Sequence, residues 1–191
     1  MRTQVDDLAA AMRELERVIR SLTREIRERF AATFAQVQEG FDEVVGTLFP
    51  GGHGRCVLTE PESPEDTETA PAEPPEPGVE LEIQPAGKRL ASMGLLSGGE
   101  RSLGALAFLF ALMLARPSPF YVLDEVDAAL DDANIARFLE LIERYRDRAQ
   151  FIIITHQQLT MEIADTLYGV SMAGDGVSTV LSRRAREPVA V

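Results

Sequence analysis

The 191-residue sequence has no tryptophan, a single cysteine and two histidines, and aromatic residues make up only 6% of it. With Cys56 alone, an intrachain disulfide and a cysteine cluster for zinc are both excluded, which suits a reducing compartment. Basic residues are also scarce: 19 Lys and Arg stand against 31 Asp and Glu, for a formal net charge of -12. This excludes a protein that coats nucleic acid with its whole surface; any DNA contact must be local or supplied by partners. Long hydrophobic runs are missing too. The longest, LGALAFLFALMLA, is shorter than the roughly 20 residues of a membrane-spanning helix, and it ends at Arg116 and Pro117. It reads as a buried core helix, with no membrane partner. The first residues, MRTQVDDLAAAMRELERV, lack the apolar core of a signal peptide, so a cytoplasmic location is expected. Finally, the sequence contains no GxxxxGK(S/T), the lysine-bearing loop that cradles nucleotide phosphates.

What is present is 45% hydrophobic, enough for one buried core plus an extension. Val5, Leu8, Met12, Leu15, Ile19, Leu22 and Ile26 alternate steps of three and four, the spacing of a coiled-coil seam over residues 1–29. One long amphipathic helix lying on its own domain is the alternative. Phe30, Phe34, Val37, Phe41, Val44 and Leu48 continue with side chains suited to a globular body, until Pro50 and its glycines break the helix. The region 30–60 therefore enters the domain and ends in a strand, RCVLTE. Residues 61–78, rich in proline and acid, read as a disordered surface loop. A second strand, VELEIQP, follows it.

From 79 to 184 the pattern becomes α/β, with a tail at 185–191. A helix over GERSLGALAFLFALMLA leads to the strand FYVLDE, a helix from about 134 to 146, and the strand QFIIIT. Its three isoleucines predict a strand covered on both sides. Strand, helix, strand is a parallel crossover. A helix over LTMEIADTL and strands near YGVSMA and VSTVLS are expected to complete that sheet.

The strand FYVLDE delivers Asp124 and Glu125 to its carboxyl end, where open parallel sheets bind ligands. Adjacent carboxylates there repel and resist burial unless a cation or a proton source shares the site; with a magnesium nucleotide, Asp124 is a candidate for Mg2+, and Glu125 for orienting and deprotonating a water. His156 closes the neighbouring strand and should emerge at the same edge, able to donate a hydrogen bond to a terminal phosphate. Alone, each feature has an ordinary reading as solvated acids or a structural histidine. In LSGGE, Ser97 can cap a helix, while Gly98 and Gly99 let backbone amides approach an anion. Glu100 would repel phosphate and better suits the helix dipole. In ALDDAN, Asp131 or Asp132 can cap the next helix.

Taken in order, LLSGGERSLGALAFLFAL, PFYVLDEVDAALDDAN and FIIITHQQLTMEIADTLYGVSM resemble the carboxy-terminal half of the ATPase head of SMC proteins, the chromosome-condensing ABC-type ATPases. The resemblance covers nearly the whole chain. It implies the carboxy-terminal lobe of an ABC-type P-loop head, a parallel sheet with flanking helices preceded by a coiled-coil helix. Ser97, Gly98 and Gly99 then belong to the signature motif, Asp124 and Glu125 to Walker B, Asp131 to the D-loop, and His156 is the switch histidine. It further implies ATP and Mg2+, an amino-terminal lobe carrying Walker A, a second head across the nucleotide, a kleisin subunit, DNA held by the assembled complex, and association with the chromosome. Lacking Walker A, the chain alone should bind ATP poorly and not hydrolyse it. A different reading is a non-enzymatic truncated head that modulates a complete SMC protein by pairing with it. Other ABC-type families fit less well.

Overall fold

The computed structural model describes residues 2–59, 77–172, 174 and 176–184, with side chains from Ala10 onward. Val5 and Leu8 of the seam, most of the acidic stretch and the tail at 185–191 lie outside the described side chains or residues. Helix α1, Arg2–Leu48, is unbroken and extends about 70 Å at 1.5 Å per residue. Met12, Leu15, Ile19, Leu22 and Ile26 are all exposed, so the amino-terminal part does not lie on its own domain. Its local support is weak, since exposed pairs such as Arg29–Glu25 and Arg20–Glu16 are each worth only about 0.3–0.5 kcal/mol. From Val37 onward the same helix is buried: Val37, Phe41, Val44, Val45 and Leu48 all sit in the core.

The chain then forms β1, His53–Leu58, antiparallel to β2, Val79–Gln84, with the short β3, Ala91–Ser92, on its far side. An edge strand leaves backbone groups unpaired, and here α1 satisfies them. The Gln38 side-chain oxygen accepts from Cys56 N at 2.6 Å while its amide nitrogen donates to Gly54 O, and Asp42 Oδ1 accepts from Gly54 N at 2.9 Å. The close approach needs glycine, because a Cβ on Gly54 would lie 2.7 Å from Val45 Cγ2 and 2.9 Å from the Phe41 ring. Cys56 is buried there, and burial pushes its thiol up to about 11, so it stays protonated and unreactive.

Helix α2, Gly98–Ala115, leads to β4, Phe120–Asp124; α3, Asp132–Tyr145; and β5, Gln150–Ile154. Strands β4 and β5 are parallel, from Phe120 opposite Gln150 to Asp124 opposite Ile154. As expected, Ile135, Phe138, Leu139, Ile142 and Tyr145 form the buried stripe of α3. They share one core with Leu103, Leu106, Phe110 and Ala111 of α2, with Phe110 packed edge-on to Phe138 and stacked with Phe151. Helix α2 is the one described helix long and apolar enough to cross a membrane, and those side chains are spent in the core.

Three expectations need correction. Strand β5 is not covered on both sides: Ile152 and Ile154, with Phe120 and Val122 of β4, are exposed. The helices lie on one face only, and nothing among the described residues packs on the other. The helix over 159–167 is confined to α4, Gln158–Glu162; from Thr166 the aromatic and β-branched residues favour a strand. That strand, β6 (Thr166–Met172), pairs only with β7 (Ser178–Arg184) as a separate antiparallel hairpin, because neighbours in sequence close a hairpin with little loop entropy. Among the described residues there are thus three small sheets, one of them parallel, and not a single parallel sheet.

The division of α1 can be tested directly. Phe41→Ala should lower stability by about 3–5 kcal/mol, whereas Ile19→Ala should change it by less than about 0.5 kcal/mol, measured by urea denaturation of dilute chain.

Candidate active site

Parallel pairing in register brings the carboxyl ends of β4 and β5 to one edge. Asp124 is the last residue of β4 and is exposed. Glu125 follows at φ +48, the only described non-glycine residue with positive φ. Its amide donates to Ile154 O at 2.9 Å and its carbonyl accepts from Ala128 N at 3.1 Å. Holding a glutamate in the left-handed region costs about 1–2 kcal/mol. That conformation places Glu125 Oε1 3.9 Å from His156 Nδ1, with both side chains about three-fifths exposed. The three groups expected at this edge are therefore together, and the acid and the histidine point towards one another.

No described cluster of three or more His, Cys, Asp or Glu residues could enclose a metal. An exposed carboxylate at a strand end is nevertheless the kind of ligand Mg2+ uses when phosphates and waters complete its shell. Asp124 fits that requirement.

Ser97, Gly98 and Gly99 sit at the start of α2, beside the start of α3. Ser97 is the N-cap in a reciprocal capping box. Its hydroxyl donates to Glu100 Oε2 at 2.7 Å, its own amide donates to the same oxygen at 3.1 Å, and the Glu100 amide points back to Ser97 Oγ. Lys88 Nζ donates to Glu100 Oε1 at 2.7 Å. Lys88 first, then the Ser97 hydroxyl and amide, hold the Glu100 carboxyl down at about 2. Glu100 thus serves the helix start, as its charge suggests. A Cβ on Gly98 would meet nothing within 4 Å, and one on Gly99 only Asn134 Nδ2 at 3.8 Å. The first amides of α2 can therefore be approached closely by an anion. Asp131 caps α3, its Oδ1 accepting from Asn134 N at 2.9 Å, so Ser97 and Asp131 cap two adjoining helix starts, with Asn134 beside Gly99.

Sequence reasoning missed Asp127, Thr155, Thr160 and Lys88. Asp127 is fully buried, and its Oδ2 accepts from Thr155 Oγ1 at 2.6 Å and Thr160 Oγ1 at 2.5 Å. The available signal was an acid set between Val126 and Ala128, a place with no reason for charge unless it has partners. Lys88 lies 12 residues before Glu100, and no local pattern announces that contact.

Residues 4–179 match the family model described as "RecF/RecN/SMC N terminal domain". The chromosome partition protein Smc of Mycobacterium tuberculosis is 47% identical over 184 residues, 96% of this chain and 14% of that protein. The Bacillus subtilis protein of the same name is 45% identical over 184 residues, again 96% of this chain, and 15% of its own length. The chain thus spans about one-seventh of the length of these relatives. Among solved structures, the Smc head domain of Pyrococcus furiosus, with an extended coiled coil and bound to the carboxy-terminal domain of ScpA, is 39% identical with a TM-score of 0.71, covering 96% of this chain and 43% of that one. A structure from work on ATP-driven dimerization of SMC ATPases gives 40% identity and a TM-score of 0.69, covering 83% of this chain and 89% of that one. The fold is therefore that of an SMC head. The family description names an amino-terminal domain, where the motifs imply a carboxy-terminal half, so the choice of lobe rests on the motifs alone.

Two outcomes follow from the geometry. Glu125→Gly should raise stability by about 0.5–1 kcal/mol, the left-handed strain relieved less the glycine's greater unfolded entropy, as read by urea denaturation. Because the Glu100 pKa is depressed on folding, its contribution is complete above its ordinary value of 4.5 and is lost as pH falls towards about 2. The stability difference between wild type and Lys88→Met should therefore be greatest above pH 4.5 and shrink through that window in acid titrations.

Proposed function

Since the chain belongs to the RecF/RecN/SMC family, we propose that it forms the carboxy-terminal lobe of an SMC ATPase head and supplies half of a composite ATP-hydrolysing site. The observation that carries this is Glu125, held at φ +48 and turned towards His156 at the carboxyl edge of a parallel strand pair. A strained, exposed acid is retained where its position matters more than its cost. The choice of lobe is supported by motif order, signature before acid pair before histidine, and by the lack of GxxxxGK(S/T). The uncovered outer face of β4 and β5 suits burial against the missing lobe.

In this reading Glu125 holds a water in line with the terminal phosphate and accepts its proton. His156 donates a hydrogen bond to that phosphate. Asp124 would hold Mg2+, which supplies charge neutralisation for the phosphates. The amides of Gly98 and Gly99 face an ATP seated on a second head, with Ser97 keeping the helix start in place and Asp131 fixing the neighbouring one. The exposed seam from Met12 to Ile26 pairs with another helix of the coiled coil. A kleisin-type partner, as ScpA is for the Pyrococcus furiosus head, and chromosomal DNA in the cytoplasm would be engaged by the assembled complex, since this chain is acidic. The resulting activity serves chromosome partition.

The exposed seam would also suit a non-enzymatic lobe that pairs with a complete head; the strained acid beside a histidine weighs against it. Mixing the chain with a matching lobe that carries Walker A should give Mg2+-dependent ATP hydrolysis, and Glu125→Gln should lower it by roughly 100-fold or more. Equal hydrolysis by the isolated chain overturns the half-site reading, and suppression of a complete head without hydrolysis favours the modulator.

A further inference from the structure

Asp127 takes no part in the chemistry described above, yet it is fully buried and ties together the two loops that carry Glu125 and His156. Its Oδ2 accepts from Thr155 Oγ1, on the residue before His156, at 2.6 Å, and from Thr160 Oγ1, in α4, at 2.5 Å. Thr155 Oγ1 in turn accepts from Gln157 N at 2.9 Å, so His156 lies between two residues tied to the same hydroxyl. On the other side, Asp127 O accepts from Leu130 N and Glu125 O from Ala128 N, both at 3.1 Å. A buried carboxylate is expensive unless its oxygens are satisfied, and Asp127 Oδ1 has no hydrogen-bond partner among the described residues. Core stability alone would be served as well by an apolar side chain.

We propose that Asp127 is a positioning residue: through the Thr155 and Thr160 hydroxyls it latches the β4–α3 loop to the start of α4 and so fixes the distance between Glu125 and His156. The backbone tie between the two segments at this edge is the hydrogen bond from Glu125 N to Ile154 O, and the exposed Glu125–His156 pair adds little to it. The chain segments have different folding partners, since α3 packs in the core while α4 has Thr160 as its buried residue. A polar latch holds the second segment where little apolar area does. The role in catalysis rests on the proposed ATPase reading; the latch itself does not.

Two measurements separate these. In the 191-residue chain alone, Thr155→Val with Thr160→Val should speed amide hydrogen exchange at Glu125 and Gln157 by about tenfold, the loss of one hydrogen bond's worth of protection, while α2 and α3 keep theirs. In the chain mixed with a Walker A-bearing lobe, the same variant should lower kcat for ATP on the order of 100-fold with KM little changed, as for a misplaced catalytic group. Thr155→Ser with Thr160→Ser, which keeps both hydroxyls, should restore kcat. If the double valine variant loses protection throughout the core, Thr160→Val alone carries the same expectations. Unchanged exchange at Glu125 and Gln157 overturns the latch. Altered exchange with unchanged kcat, or serine variants as impaired as valine, overturns the positioning role. A wild-type mixture that fails to hydrolyse ATP while the exchange contrast persists refutes the half-site reading and leaves the latch standing.

Discussion

Two parallel strands cannot be joined by a tight turn; the chain must cross back over one face of the sheet, and the crossing element must be buried there. In this protein α3 makes that crossing, and its stripe from Ile135 to Tyr145 packs on Phe110 and its neighbours in α2. The packing fixes the register of β4 on β5, and the register sets Asp124 opposite Ile154. Asp124, Glu125 and His156 at the carboxyl edge inherit their places from that pairing. A slip of one residue would turn Leu123 out of the core and separate Glu125 from the Ile154 carbonyl that anchors it.

Costs collect at the same edge. Glu125 adopts a left-handed backbone, and two residues later Asp127 has a buried oxygen with no partner among the described residues. Such features persist only where the surrounding structure over-determines them. Here α2 and α3 hold one loop in the core while two threonine hydroxyls hold the other. The start of α2 shows the opposite arrangement, with Ser97, Glu100 and Lys88 paired to one another and the faces of Gly98 and Gly99 open. The two regions are not mechanically isolated from α1. Arg137 of α3 donates to Leu48 O at the end of α1 and to Asn134 Oδ1 beside Gly99, and Tyr145 donates to Glu43.

Two apolar surfaces, the seam of α1 and the outer face of β4 and β5, are uncovered among the described residues. An aliphatic stripe that meets no side chain in its own chain gains no hydrophobic stabilisation until it is covered. Periodicity made the first of these legible. The second departs from the sequence pattern, because a run of isoleucines signals burial on both faces without specifying what packs there.

The sequence by itself determined the long helix and its exit at Pro50, the apolar stripe of α3, the parallel crossover, a cap at Ser97 and another at Asp131 or Asp132, and the delivery of Asp124, Glu125 and His156 to one edge. All of these follow from local rules: spacing on a helix, residue preference at a helix start, and the polarity of a strand. Only the tertiary structure decided that β6 and β7 stand apart as a hairpin, that Lys88 reaches Glu100, that Glu125 takes a left-handed backbone, and that Asp127 is closed off by Thr155 and Thr160. The last three depend on contacts between residues 12 to 33 positions apart, or on backbone angles imposed by such contacts. No periodicity records them, since the chain encodes each partner separately and packing alone brings the two together.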